Sequence, residues 1–458
     1  MKHCILKNYL TNQFFIDSFH VICNTFQTST SKTFKRVLIT LKNFFTIPIL
    51  LIGMLLYVTG CGPEKSEGYS FIASDVEFGE DDYQKIVESN NKLGFNLVTK
   101  VDPNEQNNIF ISPTSLMMAL SMAYNGADGK TKEEIARALQ VEGISIDDLN
   151  KANASLVTNL YKDTNQVTIN VANSIWLNKD FHFQETFTQN NHDYYNANIQ
   201  EIDIFDRQSV KLINDWVKEA TNDKIDKIVK EPLDENILAF LINAIYFKGQ
   251  WTYAFDKNKT EVGSFHLPDG TTKDVSLMNL QEDLLYFDTG YFQAVKLPYG
   301  NGEMSMNIFL PNENTTLKQL IEMLTIEDWN KWMTAFSEKE GTIILPKFKL
   351  TYETSLNHAL MELGMKEAFD ENHANFSNMI KEDEQIYISH VKQKTFIEVN
   401  EEGTEAAATT SVELKNTSAP VDGPFYMEVN RPFLFTINDE DTDTIVFMGS
   451  ISNPQDED

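Results

Sequence analysis

The stretch that most constrains this chain is Glu401–Thr410, E-E-G-T-E-A-A-A-T-T, with its sequel Ser411–Ala419, S-V-E-L-K-N-T-S-A. Its first ten residues include no large apolar group and no proline, a composition that suits a loop. Yet it follows a strand-like run, Thr395-Phe396-Ile397-Glu398-Val399, and from Thr404 its residues alternate with the two-residue period of a strand. One face carries Thr404, Ala406, Ala408, Thr410, Val412 and Leu414; the other carries Glu405, Ala407, Thr409, Ser411, Glu413 and Lys415. The first face can be buried in a sheet, and the second keeps every charge in water. Such a segment can stand exposed and pair later as a strand.

The rest of the chain supplies one large domain. No Pro/Gly/Ser-rich linker or internal repeat divides the 458 residues after position 70, and 42% of them are hydrophobic, ample for a core. The net charge is −29. Six basic residues and one acidic residue lie in the first 61, leaving 32 basic against 66 acidic, a balance of −34. Nucleic acid is not expected as a partner.

Residues 44–58 form an apolar run too short and too marked by Pro and Gly for a membrane helix, and Lys32, Lys35, Arg36 and Lys42 precede it. That is a signal-peptide pattern. It ends in Val58-Thr59-Gly60-Cys61, which resembles the lipobox of bacterial lipoproteins, where a signal peptidase cuts before a cysteine that carries lipid. The expected division is therefore a leader at 1–61, a tether at 62–77 and a single domain at 78–458. Residues 1–31 are long for a signal's leading segment, so a start codon downstream of Met1 is also expected. Cys4 and Cys23 would leave with the leader, and Cys61 alone excludes an internal disulfide. The competing reading is an uncleaved anchor with an incidental Cys61.

Periodicity places helix from Phe78 onward, with Tyr83, Ile86, Val87, Leu93, Leu97 and Val98 on one face. Ser112 is a good N-cap ahead of Pro113, and Thr131-Lys132-Glu133-Glu134 reads as a capping box opening the next helix. Val167, Ile169 and Val171 alternate as a strand, and Val210, Ile213, Val217 and Ala220 mark an amphipathic helix. The nearly continuous apolar run at 237–247 predicts a strand buried on both faces. Further strands are expected at 294–298, 304–311, 433–435 and 444–449, with one more opening at Leu345-Pro346-Lys347-Phe348.

Several of these strings, with the 401–410 stretch, resemble the serpins, a family of inhibitors of serine and some cysteine proteases. They include N-I-F-I-S-P-T-S at 108–115 with G-A-D-G-K-T at 126–131, Ile213-Asn214 with Trp216-Val217, N-A-I-Y-F-K-G-Q-W at 243–251, and Leu363-Gly364-Met365 with Ala368-Phe369. The resemblance runs from about residue 78 to 454. It implies an α+β fold: a large mixed β-sheet with two further sheets, about eight to nine helices and an exposed reactive loop at about 401–425.

No catalytic chemistry competes with that reading. The chain lacks G-x-S-x-G, H-E-x-x-H and phosphate-cradling glycine motifs, and its histidines after residue 61 are scattered without ligand spacing. No enzyme activity, cofactor or metal is expected. The resemblance instead implies a loop that a target serine or cysteine protease acylates, after which the freed hinge, Glu401, Glu402, Gly403, Thr404, Glu405, Ala406, Ala407, Ala408, Thr409 and Thr410, enters the main sheet.

A count of fourteen residues from Gly403 puts the scissile bond at Thr417-Ser418. A count back from Asn430-Arg431-Pro432-Phe433 favours Val421-Asp422, and Lys415 offers a bond to trypsin-like enzymes. The resemblance also implies a polar shutter of Ser112, Ser115, Asn243 and Gln393, with Gln393 where many members have histidine. It implies a breach of Trp251, Lys347 and Glu401 at the top of the sheet. The expected protein is a monomer able to polymerise, lipid-anchored through Cys61 outside the cytoplasm or secreted. A non-inhibitory serpin or a surface binding lipoprotein is the alternative.

Overall fold

The apolar run at 237–247 becomes the middle of a mixed sheet. A computed structural model describes residues 72, 76–160, 166–234, 237–404 and 423–456. All of them lie in one compact unit, Tyr69–Asp458. Among the described residues the helices are α1 (Val87–Val98), α2 (Pro113–Gly126), α3 (Gly129–Leu139), α4 (Ile146–Leu160), α5 (Glu185–Tyr195), α6 (Arg207–Ala220), α7 (Leu317–Glu322), α8 (Ile326–Ala335) and α9 (Asn357–Glu362). The strands are β1 (Ile109–Ile111), β2 (Val167–Asn178), β3 (Asn198–Ile202), β4 (Ala239–Gln250), β5 (Glu261–His266), β6 (Thr272–Asp288), β7 (Phe292–Tyr299), β8 (Met304–Pro311), β9 (Ser337–Pro346), β10 (Phe348–Ser355), β11 (Ile388–Asn400), β12 (Gly403–Thr404), β13 (Phe425–Glu428), β14 (Phe433–Asp439) and β15 (Thr444–Ile451).

The main sheet runs β10-β11-β12-β4-β2-β3, with β11 also pairing β4 directly. It is mixed: β11 with β4 and β2 with β3 are parallel, and the remaining pairs are antiparallel. The first nine residues of β4 are all buried because each face has its own cover. Phe240, Ile242 and Ala244 lie with Trp176, Ile213 and Val217 in a small apolar cluster under α6. Leu241, Ile245 and Phe247 belong to the large core on the opposite face. The two-residue period of a strand puts Asn243 on that second face, beneath the sheet.

The other network is a single nine-stranded one, β1-β15-β14-β8-β7-β6-β9-β13, with β5 on β6. The two further sheets expected from the sequence are thus hydrogen-bonded into one, because β6 is long enough to serve both. Its end, 285–288, pairs β7, while 277–286 pairs β9. Phe425, the first residue of β13, stacks on Tyr286 with centroids 4.4 Å apart and the rings 8° from parallel. It packs so closely over Gly341 that a Cβ there would sit 2.1 Å from the Phe425 ring. The return of the chain from the 405–422 segment is therefore pinned at a fixed place.

α2 is buried along its whole length, and Ser112 caps it as expected, its hydroxyl accepting from the Ser115 N–H at 3.2 Å. The capping box at Thr131-Lys132-Glu133-Glu134 does not form. α3 begins at Gly129, three residues before the Lys132 start that a Thr131 cap implies, so Thr131 already lies inside the helix. Its hydroxyl accepts from the Asn375 N–H, and the Glu134 carboxylate accepts from the N–H groups of Lys366 and Glu367. Tertiary partners outbid the local cap for both oxygens.

Candidate functional site

β11 ends at Asn400, and the chain turns through Glu401-Glu402 straight into β12. This turn is held from the segment that follows β4. The backbone N–H groups of Trp251 and Phe255 donate to the carbonyls of Glu402 and Glu401 at 3.0 and 2.9 Å, and the Trp251 indole N–H donates to the Asn400 carbonyl at 2.9 Å. The Glu401 side chain is buried; it accepts from the Thr260 hydroxyl at 2.8 Å and pairs with Lys347 at 3.3 Å. Glu402 forms an ion pair with Lys257. Trp251, Lys347 and Glu401 are thereby brought together at one end of the main sheet.

Gly403 and Thr404 then enter between β11 and β4. Gly403 stands opposite Asn400 and Gln250, and Thr404 opposite Val399 and Gly249. Only glycine fits the first position: its φ is +146°, and a Cβ there would lie 2.1 Å from the Gly249 carbonyl oxygen. Thr404, read from the sequence as part of the exposed loop, is 1% exposed. Its hydroxyl is 2.7 Å from that of Tyr299, whose ring stacks on Trp251 at 4.3 Å. Burial pushes the Tyr299 phenol far above its ordinary range, so it stays neutral there. Glu401 and Gly403 are likewise buried, and Glu402 half-buried, because the local backbone pairs with the sheet as soon as its side chains permit.

Deeper along the same seam, β11 and β4 pair without an intervening strand, and Gln393 faces Asn243 in that register. Gln393 and Ser112 exchange hydrogen bonds, the Ser112 N–H donating to Gln393 Oε1 at 3.0 Å and Gln393 Nε2 donating to the Ser112 carbonyl at 2.9 Å. The same Nε2 donates to Asn243 Oδ1 at 3.1 Å. Asn243 Nδ2 donates to the Ser115 carbonyl at 3.1 Å and to Asn173 Oδ1 on β2 at 2.6 Å. All five residues are buried. Ser112, Ser115, Asn243 and Gln393 thus meet beneath β11 and β4, and the Ser115 hydroxyl itself has no hydrogen-bond partner among the described residues.

Asn173, Thr260 and Tyr299 belong to these clusters and were not singled out from the sequence. Asn173 carried a signal, a polar residue on the strand face that Val167, Ile169, Val171, Ile175 and Leu177 otherwise keep apolar. Thr260 and Tyr299 carried none, since only the fold brings them near residues 401–404. Cys61, Glu405, Ala406, Ala407, Ala408, Thr409, Thr410, Lys415, Thr417, Ser418 and Val421 lie outside the described residues.

A loop that leaves one sheet at Thr404 and returns at Phe425, with its first two residues already between two parallel strands, invites comparison with known families. A family model described as serpin (serine protease inhibitor) matches residues 88–454. The chain belongs to the serpin family. Iripin-2 of Ixodes ricinus is 35% identical over 374 residues, covering 80% of this chain and 93% of its own. Among solved structures, the thermophilic serpin tengpin in its native state aligns with TM-score 0.74 and 34% identity over 83% of this chain and 96% of its own. Human thyroxine-binding globulin aligns with TM-score 0.73 and 25% identity over 82% and 100%. The serpins are a family of protease inhibitors and not of enzymes.

Two predictions concern this end of the serpin's main sheet. Gly403→Ala should force β12 out, with a local loss of roughly 1–3 kcal/mol, read as lost hydrogen-exchange protection of 403–404 while β2 and β4 stay protected at their far ends. Unchanged protection would remove the steric account. The second concerns Glu401. Burial pushes its carboxyl up, but its own backbone N–H, the Thr260 hydroxyl and Lys347 outweigh that and hold it below the ordinary glutamate range. A carboxyl with a depressed folded value contributes stability above its unfolded pKa and loses it as pH falls through the folded one. Glu401→Gln should therefore melt below the parent at neutral pH, and the gap should close below about pH 4. A gap independent of pH would show that the carboxylate's charge is irrelevant.

Proposed function

We propose that this serpin is inhibitory and traps a serine endopeptidase, or a cysteine endopeptidase by the same acyl chemistry, through insertion of its cleaved loop. The observation that carries the proposal is β12. Its register is that of a strand ready to lengthen: Thr404 lies opposite Gly249 on β4 and Val399 on β11. Continued two residues at a time, that register sets Ala406 opposite Phe247 and Ile397, Ala408 opposite Ile245 and Thr395, and Thr410 opposite Asn243 and Gln393. Each of these loop residues is small enough to pass into the sheet, and Thr410 brings a hydroxyl, donor and acceptor, to the place where Gln393 now bonds Asn243.

In the proposed sequence the protease nucleophile attacks the Thr417 carbonyl, the bond to Ser418 breaks, and Ser418 leaves as a free amine. Insertion then competes with water for the acyl-enzyme. Threonine at that position suits an enzyme with a modest apolar pocket, elastase-like or subtilisin-like; Lys415 and Val421 are the other candidate bonds. A carrier such as thyroxine-binding globulin shares the fold, as would a surface binding lipoprotein of this family. Neither requires a hinge already engaged in the sheet.

The test is a mixing assay. The purified protein should give a covalent complex, stable in SDS at the summed mass, with an elastase-like or subtilisin-like protease; none across a broad panel, cysteine proteases included, would end the inhibitory reading. Ala406→Arg and Ala408→Arg should convert inhibitor to substrate, because an unpaired buried charge costing about 3 kcal/mol slows insertion roughly a hundredfold. Glu405→Arg and Thr409→Arg should leave complex formation largely intact. Equal loss in both pairs would refute the two-face reading. Thr404→Arg differs in kind, since it should expel the hinge before any cleavage.

Location forms a separate part of the proposal. Lipid on Cys61 would tether the domain to a membrane and place it outside the cytoplasm. Cys61→Ala should move the protein from the membrane fraction to the soluble one, whereas unchanged partition would mean another attachment. Polymerisation is expected of molecules whose seam accepts a neighbour's loop in place of their own.

A further inference from the structure

Arg431 lies in the short link between β13 and β14 and is half-buried. Its Nε donates to the Pro311 carbonyl at 2.8 Å and Nη1 donates to Asn430 Oδ1 at 3.1 Å. A guanidinium has five N–H donors, so these two bonds leave most of it unused. Glu313 and Glu428 act on it only through space, and no carboxylate reaches ion-pair distance among the described residues. Burial without an ion partner disfavours its charge, yet arginine does not shed its proton.

This cation lines a cavity of about 840 Å³ whose remaining walls are mainly apolar, including Val98, Ile109, Pro311, Ile321 and Pro432. The volume lies inside the range of roughly 300–1,000 Å³ typical of small-molecule sites. The two other charged residues on its lining, Lys318 and Glu322, pair with each other at 3.9 Å. One unpaired positive charge therefore faces the mostly apolar wall of an open cleft.

We infer that this cavity binds a small amphipathic anion, a single carboxylate head held by Arg431 with a hydrocarbon body against Val98, Ile109 and Ile321. The head supplies the missing counter-charge, and its oxygens match the planar donor fork of the guanidinium. The body removes apolar wall from water, the dominant favourable term for such ligands. A neutral amphiphile would leave the charge unpaired. A cationic one would meet it with like sign.

Titration calorimetry of the full, delipidated chain with dodecanoate below its micelle concentration tests the assignment. One site is expected, with dodecanol and dodecyltrimethylammonium binding at least about tenfold more weakly, the loss expected for one charge-assisted hydrogen bond. Arg431→Gln should weaken dodecanoate by a similar factor without affecting dodecanol. Ile321→Trp, which fills the cavity while leaving Arg431 in place, should abolish binding at an unchanged melting temperature. No binding, equal binding of dodecanol and dodecanoate, or dodecanoate binding indifferent to Ile321→Trp would each overturn the proposal. So would dimerisation that Ile321→Trp abolishes, since the face would then be a contact between two copies.

Discussion

The main sheet depends on a parallel seam closed by amide side chains. Along β4 and β11 the backbones pair directly, and under the middle of that pairing Gln393, Asn243 and Asn173 form a chain of hydrogen bonds that ends on the α2 N-terminus. In so dry a place each amide left without a partner costs roughly 1–3 kcal/mol. The seam therefore resists parting unless a replacement donor and acceptor arrive at the same height. Gly403 and Thr404 already occupy its open end, each standing opposite one residue of β11 and one of β4. Parting from that end exchanges one set of partners for another; parting from any other point leaves orphans.

Charge is confined to the rim of this machinery. The amide cluster has no group that titrates near neutrality, because glutamine occupies the place where many serpins have histidine. What does titrate is Glu401, two residues before Gly403, where burial, Thr260 and Lys347 act together on one carboxyl. Acid thus acts on the turn that starts β12, while the bonds deeper in the sheet stay the same. The barrier to insertion and the anchoring of the hinge are in this sense chemically independent.

How much of this the sequence disclosed follows from where each interaction is decided. The Ser112 cap, the doubly buried β4 and the amphipathic α6 were legible because local periodicity and capping chemistry already determine them. The serpin strings named Ser112, Ser115, Asn243 and Gln393, four residues that the structure brings together. Thr131 and Glu134 misled, since a capping-box pattern cannot reveal that Asn375, Lys366 and Glu367 will compete for the same oxygens. Tyr299 and Thr260 were silent for a related reason: each lies more than a hundred residues from the hinge it touches. The fused second network was hidden as well, because a single strand shared by two sheets looks in sequence like any long strand.

The small apolar cluster under α6 is separate from the large core, and the two meet only across the backbone of the main sheet. Ile213, Val217 and the return segment at Ile228 and Val229, held by Asn214, form a patch that can detach with a limited loss of buried area. Such a patch is a unit of partial unfolding, with an opening free energy below that of the whole molecule. The helix can therefore breathe on its own. Native fluctuations of α6 would expose β4 and β2 for brief intervals while everything beneath the sheet remains folded, and the frequency of those intervals sets an upper limit on how quickly any new strand can be accommodated there.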